Sequence, residues 1–229
     1  MRFLIPILVT AATAASAFAS SKETSKRLEE SATVLSEVMS APDKGIPDDL
    51  LEKAHCVVIV PGMKKGAFIV GAKYGKGFMT CRSKAGTGWS APGAIRIEGG
   101  SVGLQIGGSE TDVVLLVMNE RGADKLLSSH FTLGGEGEVA AGPVGRNAAA
   151  QTDAKLTAEI LSWSRSRGVF AGISLQGATL RQDLDDNADL YGSKIENRDI
   201  VEKKIAPPAE ASRLLSLLSK YSPRERAGN

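Results

Sequence analysis

Cysteine and histidine are scarce in this 229-residue chain, two of each, and neither pair has the spacing of a metal site. His55 beside Cys56 is the nearest approach to a ligand pair, so no structural zinc and no cofactor is expected. Charge of one sign is also lacking. The formal net charge is +2, so nothing in the totals calls for nucleic acid, and any anion recognition has to come from local clustering. No internal repeat and no low-complexity segment is present. No apolar run reaches the roughly 20 residues a membrane-spanning helix requires. The longest one, at the N-terminus, has instead the form of an export signal. Arg2 provides the basic start, Phe3 to about Ala15 the apolar region, and Ala17-Phe18-Ala19 the small-x-small cleavage site before Ser20. Residues 1–19 are expected to be removed, leaving an exported, periplasmic or extracellular protein. In an oxidising compartment Cys56 and Cys81 have two fates, a disulfide across neighbouring strands or two buried thiols.

What the chain does have is aliphatic residues and glycine, with 42% hydrophobic content and 25 glycines. From Gly75 to Asn119 short apolar runs (Phe78 to Cys81, Ile95 and Ile97, Val102/Leu104/Ile106, Val113 to Met118) alternate with glycine-bearing breaks, the pattern of short strands joined by turns. Val113 to Met118 has no polar interruption, which predicts a strand buried on both faces. The stretch from Phe78 to Met118 leaves no room for a helix between consecutive strands, which excludes a doubly wound parallel sheet. The expected fold is α+β, a mainly antiparallel, glycine-rich sheet or barrel-like core from Cys56 to Leu180, covered by N-terminal and C-terminal helices.

Leu28, Ala32, Leu35 and Met39 fall on one face of a helix over Lys22 to Ser40, suited to docking on its own domain or to lying on a membrane. Asp48 to Ala54 reads as a second helix behind Pro47. Cys56 to Val60 reads as a strand stopped by Pro61-Gly62. Lys64-Lys65-Gly66 is then a basic turn into a second strand, Ala67 to Val70, with Lys73 and Lys76 just beyond. Further on, Gly122 to Ser129 reads as a short helix and Thr152 to Arg165 as a helix with Leu156, Ile160 and Trp163 on one face. Phe131 to Gly145 and Gly168 to Leu180 are glycine-rich strand segments. Asp183 to Asp189 reads as an acidic loop, and Ala209 to Tyr221 as a closing helix after Pro207-Pro208.

Several catalytic patterns fail on context. Gly99-Gly100-Ser101-Val102-Gly103 matches the nucleophile-elbow spacing, but an elbow joins a strand to a helix and Ser101 enters an alternating strand. Gly71 to Lys76 is one residue too short for a phosphate-binding loop and lacks the following Ser or Thr. Asp183-x-Asp185-x-Asn187 starts like a calcium loop, yet Ala188 and Lys194 stand where glycine and glutamate are required. Trp163-Ser164-Arg165-Ser166-Arg167 suits either phosphate contact or the cation preference of a helix end.

Taken in order, Ile46-Pro47, Leu50-Leu51, Lys76-Gly77, Trp89-Ser90-Ala91-Pro92, Gly103 to Gly107, Ala141 to Arg146, Ser164 to Gly172 and Tyr191-Gly192 resemble the SYLF domain family over about Ser25 to Leu218. Eukaryotic members of that family are known as lipid-binding and actin-regulating modules, bacterial ones as exported proteins. The resemblance implies one SYLF-like domain over residues 20–229 and a non-catalytic module binding anionic phospholipid, phosphoinositides included in eukaryotic members. The candidate headgroup-binding residues are Lys64, Lys65, Lys73, Lys76, Arg146, Arg165 and Arg167. The alternative is a structural envelope protein that binds a protein partner. A hydrolase acting through Ser101 ranks behind both.

Overall fold

The computed structural model describes residues 8–41, 45–67, 70–82, 88–102, 107–135, 139–142, 158–166, 169–170 and 175–222. Helix α1 spans Leu8–Met39, and the amphipathic stretch forms its second half. Leu28, Ala32 and Leu35 are fully buried, so the stripe faces the domain. Helix α2, Asp48–Lys53, follows Pro47 and carries Asp48 and Asp49 in its first turn, where acids meet the positive end of the helix dipole.

Among the described residues nine strands form one sheet. They are β1 Cys56–Ala67, β2 Val70–Cys81, β3 Gly93–Val102, β4 Gly107–Val117, β5 His130–Thr132, β6 Val139–Ala141, β7 Ile160–Ser166, β8 Val169–Phe170 and β9 Thr179–Gln182. The order is β5-β9-β3-β2-β1-β4-β7-β6, with β8 paired to β7. The β6–β7 pair is parallel and the other pairs are antiparallel. The α+β, mainly antiparallel expectation holds. Period two divides the apolar strand residues between two faces. Val57, Ile59, Phe78, Val114, Leu116 and Trp163 pack with α1, α2 and helix α6, Ser212–Tyr221, through Leu35, Leu50 and Leu214. Val58, Val60, Ile95, Val113 and Leu115 face the other way, onto Phe131, Leu133, Leu180 and helix α3, Glu120–Leu126. Because β5 and β9 belong to the same sheet, it curls until one end covers the second face, a half-barrel. Val113 to Val117 are at most 1% exposed, which fits the uninterrupted apolar run.

Four local expectations are corrected. Strand β1 does not stop at Pro61-Gly62. It crosses them by a register shift against both neighbours, with Gly62 at φ +56°, a left-handed conformation that glycine adopts without penalty. Lys64-Lys65-Gly66 is therefore strand, and of the expected second strand Ala67 ends β1 and Val70 begins β2, with residues 68 and 69 outside the described residues. The helix expected over Thr152 to Arg165 is strand β7 from Ile160 onward. Leu161 and Trp163 alternate there with Ser162 and Ser164, and pairing with Leu116 and Val114 of β4 outweighs the helical spacing. Residues 152–157 lie outside the described residues. Finally, the acidic loop is helix α4, Leu184–Tyr191, because the Asp183 carboxylate accepts the Asp186 N–H and caps it. Helix α5, Asn197–Glu202, follows. Cys56 and Cys81, opposite each other on β1 and β2, form a disulfide.

The β1–β2 contact leaves no room at Gly77. A Cβ there would sit 2.0 Å from the Ile59 carbonyl oxygen, and backbone cannot move aside as a side chain can. Gly77→Ala is expected to destabilise the fold by about 2 kcal/mol or more, the scale of core overpacking, read as a lowered urea midpoint at unchanged slope.

Candidate functional site

One end of the sheet is built from residues without charge. Strands β1 and β2 meet there at Ala67 and Val70, and the adjoining ends are Val102 of β3, paired with Val70, and Gly107 of β4, paired with Ala67. In sequence, residues 66–72 and 99–109 hold no ionisable side chain. Behind this end comes a charged and aromatic row. Lys64 stands opposite Tyr74 on β2 and Glu110 on β4, and Lys65 stands opposite Lys73 and Ser109. Lys64 is exposed and Lys65 half-buried, while Tyr74 is the exposed large hydrophobic residue among the described ones, at 46%. Lys73 turns inward and is buried. Its burial, and then the Lys65 ammonium, hold its pKa below the ordinary lysine value, as desolvation and a like charge both disfavour protonation.

The five candidate cations among the described residues do not form one patch. Lys76 lies on the α1 side of β2, with its ammonium 2.9 Å from Asp183 and 2.8 Å from Asp186. Burial opposes its charge, but hydrogen bonds and charge attraction from Asp186 and Asp183 outweigh that and raise its pKa. Arg27 of α1 pairs with the other oxygen of Asp186, and Thr24 donates to Asp189 at 2.8 Å, so this cluster ties α1 to α4 and β2. Arg165 is held 2.9 Å from Asp112 and also pairs with Glu37 of α1. There too burial is outweighed by the two carboxylates, and the pKa is raised. Lys76 and Arg165 already have carboxylate partners within the fold. Arg146 and Arg167 lie outside the described residues, as do residues 103–106.

Between α1 and the β1, β4 and β7 strands runs an open groove of about 1310 Å³. Its charged lining is Lys26, Lys64, Lys65 and Arg165 against Glu29, Glu30, Glu37, Glu110 and Asp112. Mixed signs at this density make it a poor anion cradle. Ser101 sits in β3 with Gly71 opposite, and among the described residues the next element is β4, not the helix an elbow requires. Among the described residues no three His, Cys, Asp or Glu side chains converge as metal ligands. Tyr74 and the Lys76–Asp183–Asp186–Arg27 cluster escaped the sequence reading. Only the spacing of Lys65, Lys73 and Tyr74 along the chain could have pointed to the first, and nothing local pointed to the second.

Residues 98–221 match the family described as "Ysc84: Las17-binding protein actin regulator". The chain belongs to the Ysc84 family. This Ysc84 domain, the SYLF domain of the resemblance, is 35% identical over 204 residues to SH3 domain-containing YSC84-like protein 1 of Xenopus laevis, covering 88% of this chain and 60% of that protein. To the Homo sapiens protein of the same name it is 34% identical over 184 residues, 80% of this chain and 53% of the other. To LAS seventeen-binding protein 3 of Saccharomyces cerevisiae it is 35% identical over 191 residues, 82% of this chain and 41% of the other. The Ysc84 chain thus spans between two fifths and three fifths of the length of these relatives.

Proposed function

We propose that this Ysc84 domain is a non-catalytic docking module that sets the uncharged end of its sheet against an anionic phospholipid membrane. The observation that carries the reading is that end itself, uncharged over the described residues 66–67, 70–72, 99–102 and 107–109, with Lys64, Lys65 and Tyr74 directly behind it. An uncharged protein edge enters the interfacial layer without desolvating ions. Lysines one step back meet headgroup phosphates, and tyrosine suits the boundary between apolar and wet layers. Among the described residues no helix is long and apolar enough to cross a membrane, so the association proposed is peripheral. The leader read at residues 1–19 supports export to the cell envelope as the place of action. A second reading, docking of a protein partner, is favoured by the mixed-charge groove and by the binding partner in the family's description.

Co-sedimentation with vesicles tests the first reading. Each basic residue near an anionic surface contributes about 1 kcal/mol, so Lys64→Glu/Lys65→Glu is expected to weaken partitioning onto phosphatidylserine-containing vesicles by more than about tenfold. Added salt weakens the parent in the same direction. The matched control is Lys53→Glu/Lys203→Glu, two exposed lysines in surface pairs with Asp49 and Asp199, both far from that end, and it should partition as the parent does. Equal partitioning of all three proteins, indifferent to salt, removes the membrane reading and leaves the partner reading.

A further inference from the structure

Lys73 is a buried amine that the membrane reading does not use. The β2–β3 register runs without a break from Val70 to Met79, so alternation puts Lys73 on the face of β2 that carries Met79, opposite the one that carries Phe78. Its cross-strand neighbours are Lys65 on β1 and Gly99 on β3, and Gly71 and Gly75 flank it on the same face. A Cβ on Gly75 would meet Val60 and Met63, and one on Gly99 would meet Ala178. The three side chains are at most 2% exposed, so the surroundings are apolar and closed to water, and Lys73 itself is 8% exposed. Two separate features of this placement oppose protonation. Burial strips water from an ammonium, and a second ammonium stands directly opposite, across a Cα separation of about 4.5 to 5.5 Å. Both act to lower the Lys73 pKa, burial the more strongly. Beyond Lys65 on this face comes Ser109. The carboxylates of the neighbouring rows, Glu98 and Glu110, stand opposite Tyr74 and Lys64 on the other face.

We infer that Lys73 is a carbonyl-reactive lysine, a site that takes small alkyl aldehydes as an imine. A lysine desolvated among apolar groups and set beside another cation is the arrangement that makes an amine nucleophilic near neutral pH. The Lys73 nitrogen forms the bond to the carbonyl carbon and gives up both of its hydrogens, and the carbonyl oxygen leaves with them as water. Neither an oxidant nor a reductant is required. Departure of that water needs a proton on the oxygen. The Lys65 ammonium, directly across the ladder, gives one and takes one back from the iminium nitrogen. Val60, Met63 and Ala178 favour an apolar aldehyde over a charged one.

The probe is propanal with cyanoborohydride, applied to the full chain. Hydride reduction fixes each imine as a propyl-lysine, which peptide mass spectrometry locates and quantifies. The exposed Lys53 and Lys203 are the internal reference. Slow entry to a buried amine scales its rate alike at every pH, so the quantity that decides is how the ratio of Lys73 labelling to reference labelling changes with pH. That ratio is expected to fall by at least about threefold between about pH 8 and about pH 11, as the reference amines lose their protons later than Lys73 does. Lys65→Met keeps an unbranched stem and removes the opposing charge, and it should make the fall smaller. A ratio that stays constant with pH, a fall that Lys65→Met leaves unchanged, or no propyl group on Lys73 at any pH overturns the inference.

Discussion

Replacing Asp186 with alanine is expected to lower stability by about 3 kcal/mol, the low end of the cost of breaking a buried ion pair from one side. The carboxylate is 5% exposed and joins two cations, Lys76 and Arg27, whose side chains are 26% and 13% exposed. Lys76 keeps Asp183 after the change. Arg27 keeps Glu23 alone, at 3.4 Å and largely in water, so a mostly buried guanidinium loses its principal partner. For a domain of this length the loss corresponds to a fall of about 6 to 12 °C in Tm. Asp185, one residue away, pairs with Lys194 in full solvent, and Asp185→Ala should leave the transition where it is. A double-mutant cycle with Arg27→Met isolates the pair, and a coupling above about 1 kcal/mol is expected. The alkaline limb has a defined sign. Because the folded state raises the Lys76 pKa above 10.5, its contribution is complete below that value and is lost as pH rises through the folded pKa. Lys76→Met should flatten the loss of stability on that limb. Additive single-mutant effects, or no difference between Asp186→Ala and Asp185→Ala, would show that α1 is held by its apolar stripe alone.

The parts of the fold that were legible are those whose signal is local and repeated. Val113 to Val117 announced a strand buried on both faces because no polar residue interrupts it, and Leu214 and Leu218 mark α6 because helical spacing coincides with a proline start. Strand β7 was misread because Leu156, Ile160 and Trp163 fit a helical face by position. The deciding interaction, pairing with β4, lies 49 residues upstream at Val114↔Trp163. The site followed the same division. A run of lysines between residues 64 and 76 is visible in sequence, but which of them are neutralised is not. The acid that holds Lys76 is 110 residues away, and those that hold Arg165 come from α1 and β4. The setting of Lys73 is less legible still, since Lys65 and Gly99 meet it from separate strands and its burial exists only once the sheet has formed.

Removing the Cys56–Cys81 bond is expected to cost about 3 kcal/mol. The two cysteines are 25 residues apart in sequence, and releasing a closed loop of that size returns roughly 3 to 4 kcal/mol of chain entropy to the unfolded state. Native geometry should barely respond, because the ladder continues on both sides of the bond. Val57 pairs with Thr80, and the Arg82 N–H donates to the His55 carbonyl at 2.7 Å. The effect therefore appears in the unfolding midpoint and not in the circular dichroism of the folded protein. Cys56→Ala/Cys81→Ala and the thiol-reduced parent should agree to within about 1 kcal/mol, with the double variant the less stable. Both sulfurs are buried, and truncating them adds a small cavity term. Urea titration of oxidised, reduced and double-variant protein supplies all three midpoints. An oxidised parent that unfolds with its reduced form, or two free thiols found by titration of the denatured protein purified from an oxidising compartment, would remove the bond as a source of stability and leave the apolar cluster around Val58 and Met79 to hold that end of the sheet alone.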